Sequence, residues 1–318
     1  MPFEIWTEKY RPRSFSEVVN QEHVVERLKA FVKEGSIPHM IFAGPPGCGK
    51  TVCAEIIARE LFKENWHQNF QSTNASDMRG IDVIRTRIKN FARIKPINAP
   101  FKIIFLDESD ALTPDALNAL RRILEMYSDI TRFIFSCNYS SRIIPPIQSR
   151  CCLFRFHPLS KKDTFTYLAR IIKAEKLKVS EDALEAIYSI SEGDLRKATN
   201  LLQASSALGK KITGDIVYEV ASRARPADVK EMLELALKGK FEEARKKLQD
   251  MLLRQGLSGS DIISSIHREI YSLDLPDETK VQLVEKCGEY DFRISEGGNE
   301  LIQLEALLAQ FLLFSKKK

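Results

Sequence analysis

The sequence lacks any long hydrophobic run. Its apolar stretches all fall short of the roughly 18 residues that a membrane-spanning helix needs. Residues 1–13 also lack the basic segment, the apolar segment and the small-residue cleavage site of a secretion signal. We therefore expect a soluble chain that stays in the compartment where it is made.

Cysteine pairs at metal-binding spacing are also missing. The six cysteines include no CxxC pair, and none lies near a histidine at the spacing of metal ligands. This pattern argues against a zinc site. Without an export signal, it favours free thiols in a reducing compartment.

A strong charge of either sign is absent as well. The 318 residues include 48 basic and 43 acidic ones, so the net charge is only +5. This small excess permits contact with nucleic acid but does not require it, because an ordinary solvated surface has a similar balance. The sequence also contains no internal repeat.

The first half of the chain alternates short apolar runs with helical periodicity. The predicted strands are His39–Ala43, Asn69–Asn74, Lys102–Leu106 and Arg132–Ser136. The predicted helices between them are Val52–Phe62, Ile81–Ala92 and Asp115–Met126. Buried strands separated by helices predict an α/β fold with a parallel sheet that has helices on both faces.

Strand signals end after Phe156-His157-Pro158, and only helical patterns follow. A second break falls near Pro226, and glycine-containing turns separate the later helices. These breaks predict three domains: a sheet domain at 1–159, a small helical domain at 160–224 and an all-α domain at 225–318.

A glycine-rich segment follows the first strand and fits the pattern GxxxxGK[ST]. It consists of Gly44, Pro45, Pro46, Gly47, Cys48, Gly49, Lys50 and Thr51. Glycines let backbone N–H groups turn toward phosphate oxygens, and the following helix N-terminus favours an anion. We expect Lys50 to contact the β- and γ-phosphates of ATP and the Thr51 hydroxyl to bind Mg²⁺. The alternative is a coincidental glycine-rich turn.

Two acids follow the third predicted strand. Asp107 is placed to hold Mg²⁺, and Glu108 to polarise the attacking water as a general base. Alone, such a pair could simply cap the next helix. Asn138 follows the fourth strand and could orient the water or contact the γ-phosphate, or it could be an ordinary turn residue.

With these motifs the chain resembles the AAA+ ATPases and, within them, the small subunits of replication factor C, of archaeal type. The segments that carry the resemblance are the glycine-rich loop, Trp6–Pro12, Asn74–Asp77, Asp107–Thr113, Ser136–Asn138, Ser149–Cys151 and Gly193–Arg196. The resemblance spans nearly the whole chain. It implies a P-loop sheet domain, a helical lid and a helical collar that forms oligomers.

The resemblance also implies roles that spacing alone does not assign. Arg150 is similar to an arginine finger that enters the ATP site of a neighbouring subunit, although from sequence alone a surface salt bridge is the simpler interpretation. Arg196 is similar to a second sensor of the γ-phosphate. The residues similar to an adenine-contacting segment are Tyr10, Arg11, Val18 and Val19.

Three positions depart from the usual family pattern. Cys48 stands where threonine is common, Ser109 where alanine is frequent, and Met78 where glutamate is frequent. None of these departures removes a predicted catalytic group, because backbone donors bind the phosphates and both acids at 107 and 108 are present.

A row of cations lies on the predicted helix at 81–92. Arg85 and Lys89 are four residues apart on one face, and Arg79 precedes the helix. From composition, a solvated helix face is the simpler explanation. In the family the equivalent helix faces DNA, so the resemblance implies sequence-independent phosphate contacts here.

The expected function is that of a clamp-loader subunit that uses ATP and Mg²⁺ to open a sliding clamp and load it onto primed DNA. The implied partners are a large clamp-loader subunit, other copies of the small subunit, primed double-stranded DNA and a ring clamp of the PCNA type, met near Ala111–Pro114. The location would be the cytoplasm in an archaeon or the nucleus in a eukaryote.

The alternatives are another AAA+ DNA remodeller, such as a branch-migration motor or helicase loader, and a scaffold that binds nucleotide without hydrolysis.

Overall fold

The structure of the protein is a computed structural model, and it describes residues 4–76, 84–209 and 211–315. The chain divides into two compact units. The first unit consists of Met1–Leu177 and Ile187–Gln203, and the second of Lys178–Ala186 and Ala204–Lys318. This division cuts through the predicted domain at 160–224, so the bounds of the three predicted domains stay a prediction.

The first unit contains a five-stranded parallel sheet. Its strands are β1 (His39–Ala43), β2 (Phe70–Asn74), β3 (Lys102–Asp107), β4 (Thr131–Cys137) and β5 (Cys151–Arg155), in the order β2-β3-β4-β1-β5. The α/β prediction is confirmed. No strand was predicted at β5, and Asn69, predicted as the start of a strand, instead ends a short helix.

The helices of the first unit up to residue 177 are α1 (Trp6–Lys9), α2 (Glu22–Lys33), α3 (Lys50–Phe62), α4 (Trp66–Asn69), α5 (Lys89–Arg93), α6 (Pro114–Met126), α7 (Pro145–Gln148) and α8 (Lys161–Ala174). A π-helical turn, Ile84–Ile88, runs directly into α5. We refer to residues 84–93 as the cationic helix.

The central strands are apolar because both faces of the sheet are buried. In β1, Met40 and Phe42 belong to a core cluster on one face, while Ile41 belongs to a cluster on the other. The carboxyl ends of parallel strands meet at one edge of a sheet. Asn74 pairs with Asp107, and Ala43 pairs with Cys137.

The remaining helices are α9 (Glu181–Ser191), α10 (Leu195–Ser206), α11 (Gly214–Val220), α12 (Pro226–Leu237), α13 (Phe241–Gln249), α14 (Gly259–Ile270), α15 (Asp277–Ser295) and α16 (Glu300–Ser315). Helix α16 buries Leu304, Leu307, Leu308 and Phe311 in the core of the second unit. Ile302 and Leu313 stay more than half exposed on the same helix. Within the described ranges, no helix combines the length and apolarity that crossing a membrane requires.

The buried position of His39 predicts that the protein loses stability at low pH. Its Nδ1 accepts a hydrogen bond from the Phe133 N–H at 3.0 Å, and burial, with a smaller effect of Arg132, lowers its pKa to about 4. Below its usual pKa of about 6.5 the unfolded chain takes up a proton that the folded chain does not. Stability is therefore lost as pH falls from about 6.5 toward 4, by about 2 kcal/mol at pH 5.

Chemical denaturation at pH 8 and pH 5 measures this effect. The parent is compared with His39→Asn, whose side-chain oxygen can still accept from Phe133 but does not titrate in this range. We expect the variant to lose about 2 kcal/mol less than the parent between the two pH values. Equal losses would contradict this assignment.

Candidate functional site

The glycine-rich segment forms the turn between β1 and α3. Gly49 has φ of 98° and immediately precedes Lys50, the first residue of α3, and Gly47 has φ of 68°. Residues with a side chain rarely adopt this left-handed backbone conformation, which explains why both positions are glycine. The turn places the N-terminus of a thirteen-residue helix beside the loop, an arrangement that favours phosphate.

Close packing constrains the same loop. A Cβ on Gly44 would lie 2.4 Å from the Phe156 carbonyl oxygen, and one on Gly47 would lie 1.8 Å from Asp194 Oδ1. The Cys48 side chain is buried, donates to the Pro45 carbonyl at 2.9 Å, and has a raised pKa because of that burial. Cys48 therefore fills the inside of the loop with its thiol.

Gly47→Ala is expected to destabilise the protein more than Gly35→Ala. Both glycines have φ of 68°, but a Cβ on Gly35 would meet nothing within 4 Å. Gly35→Ala should cost only the backbone strain, about 1–2 kcal/mol. Gly47→Ala should also displace Asp194, which accepts from the N–H groups of Arg196 and Lys197. Thermal unfolding and nucleotide titration measure the difference, and equal midpoints with equal nucleotide affinity would contradict it.

Lys50 and Thr51 lie at the start of α3, next to the end of β3. The buried Lys50 ammonium donates to the carbonyls of Gly44 and Pro45, at 2.7 Å each. The Thr51 hydroxyl donates to Asp107 Oδ2 at 3.0 Å. A hydroxyl and a carboxylate that touch in this way are hard oxygen donors of the kind that Mg²⁺ prefers, so the pair fits a magnesium site.

The chain turns sharply after β3. Glu108 has φ of 51° and is exposed, and its N–H donates to Asp107 Oδ1 at 3.0 Å. Ser109 is fully buried and donates to the Leu106 carbonyl at 2.6 Å. The turn therefore leaves the Glu108 carboxylate in solvent, close to Asp107, where it can act on a water.

Asp110 joins the ends of two neighbouring strands. Its Oδ2 accepts from the backbone N–H groups of Asn138 at 3.1 Å and Tyr139 at 3.4 Å. No role was predicted for Asp110, although it lies three residues after Asp107 within the segment Asp107–Thr113. The contact holds Asn138 beside the loop after β3.

A cavity of about 210 Å³ lies over these strand ends. The predicted site residues that line it are Arg11, Val18, Val19, Pro46, Gly47, Cys48, Gly49, Lys50, Thr51, Asp107, Glu108, Asn138 and Arg196. Further lining residues, for which no role was predicted, include Glu17, Ser136, Tyr167, Leu195 and Thr199. One cavity thus brings together the loop, the acids, the N-terminal segment and the first turn of α10.

Arg196 reaches the cavity from the start of α10. The preceding Asp194 caps this helix, because its Oδ1 accepts from the Arg196 and Lys197 N–H groups at 2.9 and 3.1 Å. Asp194 also contacts Gly47, so the capped end of α10 sits directly on the glycine-rich loop. Arg196 itself is exposed and can approach an anion in the cavity.

Tyr10 is not among the described residues that line the cavity. Its hydroxyl donates to Glu175, and its carbonyl accepts from the Tyr167 hydroxyl at 3.3 Å. Burial and the contact with Glu175 raise the pKa of Tyr10. Tyr10 therefore contacts Glu175 and Tyr167, while Arg11 forms an ion pair with Glu55 at 2.6 Å and lines the cavity.

Arg150 also lies outside the described lining of the cavity. It stands between α7 and β5, is exposed, and pairs with Glu125 at 2.7 Å. Its other terminal nitrogen donates to the Pro146 carbonyl at 2.7 Å. The surface salt bridge that the sequence allowed is therefore present, and Arg150 takes no part in the cavity of its own chain.

The predicted DNA-contacting residues are described only in part. Arg79 lies outside the described residues, and of Arg85 only the backbone is described, within the π-helical turn. Lys89 is exposed on the cationic helix, as are Arg87 and Arg93. Within the described part of the chain, none of these three forms an ion pair, so the helix presents uncompensated positive charge.

Three family models match the chain. Residues 40–159 match the ATPase family associated with various cellular activities (AAA). Residues 166–207 match the RCF1/5-like AAA+ ATPase lid domain, and residues 224–310 match the replication factor C C-terminal domain.

Curated relatives align with almost the whole chain. The replication factor C small subunit of Archaeoglobus fulgidus is 54% identical over 316 residues, 99% of each chain. That of Methanococcus maripaludis is 55% identical over 306 residues, 96% of this chain and 97% of the relative. That of Staphylothermus marinus is 52% identical over 98% of this chain and 96% of the relative.

Solved structures with a similar fold include the RuvB Holliday junction branch migration motor of Thermotoga maritima. It aligns with a TM-score of 0.55 over 77% of this chain and 88% of that chain. The sequence identity is 20%, so this likeness concerns the fold alone.

Proposed function

The chain belongs to the replication factor C small-subunit family, and from this membership we propose that it loads a sliding clamp onto primed DNA by ATP-driven opening of the clamp. The AAA ATPase match and the relatives at 52–55% identity make it an ATPase of the clamp-loader type. The observation that best supports ATP hydrolysis is that Lys50, Thr51, Asp107 and Glu108 line one cavity.

The chain's own residues account for ATP binding. The backbone of the glycine-rich loop and the start of α3 take the phosphates, and Lys50 exchanges its carbonyl partners for phosphate oxygens. Val18 and Val19 give one part of the cavity an apolar lining that suits the adenine. Arg196 contacts the γ-phosphate from α10, so the capped end of α10 responds to the nucleotide.

Thr51 and Asp107 would hold Mg²⁺. When bound, the ion neutralises charge on the β- and γ-phosphates. Glu108 accepts the proton of the attacking water, and Asn138, held by Asp110, orients that water. The exposed position of Glu108 beside the cavity supports this role.

The proposed site is completed by a neighbouring subunit. The cavity contains no candidate for an arginine finger other than Arg11 and Arg196 among its described lining residues, and Arg11 is already paired with Glu55. Arg150 is exposed at the surface, where it can enter the site of a neighbour. The neighbours would be other copies of this chain and a larger subunit.

DNA contact is proposed for the cationic helix. Exposed Lys89, Arg87 and Arg93 can follow phosphates without reading bases, which suits a machine that acts on any sequence. The proposed clamp is a ring of the PCNA type. Because the relatives named above are archaeal, we place this activity in the cytoplasm.

ATPase rates of the complex with its large subunit test this function. We expect slow hydrolysis alone and at least about tenfold faster hydrolysis with a PCNA-type ring and primer–template DNA together. Clamps retained on circular primed DNA should increase in parallel. A rate that responds to a four-way junction but not to clamp and primed DNA would instead favour a branch-migration motor.

A further inference from the structure

Lys102 is a buried lysine outside the nucleotide site. It is the first residue of β3, and its side chain is 2% exposed. Burial lowers its pKa, as expected for an ammonium group removed from water. An apolar residue would fill the same space without this penalty, so the charge calls for a reason other than core packing.

The Lys102 ammonium holds the end of the cationic helix. It donates to the Phe91 carbonyl and lies 3.9 Å from the centroid of the Phe91 ring. The neighbouring Thr131, which pairs with Lys102 in the sheet, donates from Oγ1 to the Ala92 carbonyl at 3.1 Å. The Phe91 carbonyl also accepts from the Ile94 N–H at 3.3 Å, and the Lys102 cation adds a second partner at the helix C-terminus, where positive charge is favourable.

The two strands that begin at these contacts end at the nucleotide site. Strand β3 runs from Lys102 to Asp107, and β4 runs from Thr131 to Cys137, next to Asn138. Both are buried along nearly their whole length and paired in parallel. At about 3.3 Å per residue, β3 spans only about 16 Å. The cationic helix is thus fastened to one end of the strands that carry Asp107 and Asn138 at the other.

We propose that Lys102 is a positioning residue that fixes the cationic helix to β3, so that DNA bound by the helix changes the rate of ATP hydrolysis at the far end of the sheet. The inference rests on the proposed function, because it requires that DNA stimulates the ATPase. Lys102 touches neither nucleotide nor DNA in this account. It acts through the helix that it holds.

Lys102→Met tests the proposal, because methionine fills a similar volume without the charge or the donor. Replacing a buried ion with an apolar group is often neutral or stabilising, so the thermal midpoint should be kept. In the complex with clamp, we expect basal ATP hydrolysis within about twofold of the parent. The stimulation by primed DNA should fall about tenfold, the effect of losing one hydrogen bond from a charged group.

Two threonine variants provide a matched comparison. Thr131→Val removes the contact with Ala92 and should lower DNA stimulation in the same direction, but less than Lys102→Met. Thr164→Val removes an equally buried hydroxyl that donates to the Ser160 carbonyl at 3.0 Å, far in sequence from the cationic helix. It should leave DNA stimulation unchanged.

The outcomes separate the two proposals. If the parent complex shows no response to DNA, the proposed function fails. If the parent responds and Lys102→Met responds equally, the role of Lys102 is overturned. If Lys102→Met does not fold, the threonine pair decides, and equal DNA responses of Thr131→Val and Thr164→Val overturn the inference.

Discussion

Arg150→Ala is expected to lower ATP hydrolysis by the assembled complex by about 10³-fold or more, the usual contribution of an arginine finger. Nucleotide affinity of the isolated chain should not change, because Arg150 does not line its own cavity within the described structure. Stability should hardly change either, since the exposed pair with Glu125 contributes about 1 kcal/mol at most. Steady-state ATPase assays and nucleotide titration measure the two effects.

Arg142→Ala is the matched control. Arg142 is another exposed arginine, eight residues earlier, with its guanidinium 5.5 Å from the centroid of the Tyr139 ring. Its loss should leave hydrolysis within about threefold of the parent, as for most surface substitutions. If both variants are equally impaired, the effect comes from damage to this surface and not from a finger at position 150.

Glu108→Gln is expected to slow hydrolysis by about 10²–10⁴-fold while ATP binding persists. Glutamine has the shape of glutamate but cannot accept the proton of the attacking water. The left-handed turn at Glu108 depends on its backbone N–H and on the buried Ser109, and neither changes in the variant. Single-turnover hydrolysis with saturating ATP separates chemistry from binding.

Glu17→Gln controls for loss of negative charge in the same cavity. Glu17 lines the cavity, but its carboxylate accepts from the Arg13 N–H and the Ser14 hydroxyl in the N-terminal segment. This variant should hydrolyse ATP at close to the parental rate. A Glu108→Gln protein that also retains the parental rate would support the alternative of a chain that binds nucleotide without hydrolysis at this position.

The elements of the candidate site could be predicted where they are local in sequence. Strand, glycine-rich turn and helix follow one another from His39 to Phe62, so spacing alone indicated the position of Lys50 and Thr51. Thr51 and Asp107, 56 residues apart, meet because the carboxyl ends of parallel strands lie at one edge of the sheet. The strand β5 was missed although it is as long as β1 and β2 and four of its five residues are apolar, so its sequence did carry a strand signal.

Contacts between distant segments could not be predicted. The hydroxyl of Tyr10 donates to Glu175, 165 residues away, and nothing in the sequence near either residue indicates this hydrogen bond. The burial of Lys102 depends on the end of the cationic helix packing against β3, which a polar residue at a strand start does not signal. Likewise the partner of Arg150, Glu125, is set by how α6 packs beside α7.

The fold and the function of this chain are supported by different comparisons. RuvB of Thermotoga maritima shares the fold at 20% identity, whereas the archaeal small subunits share more than half of the residues along nearly the whole chain. A common fold does not fix which partner an ATPase acts on. The clamp-loader conclusion therefore rests on the whole-chain relatives and on the site, and the RuvB likeness adds only the architecture.

Mixing two inactive variants tests the shared site most directly. Lys50→Ala removes a chain's own phosphate contact but keeps its finger, and Arg150→Ala does the reverse. In equal mixtures with the large subunit, about one in four contacts between small subunits should join an intact loop to an intact finger. We predict that the mixed assembly regains ATPase activity well above either variant alone. A mixture no more active than its two components would contradict a site completed by the neighbouring subunit.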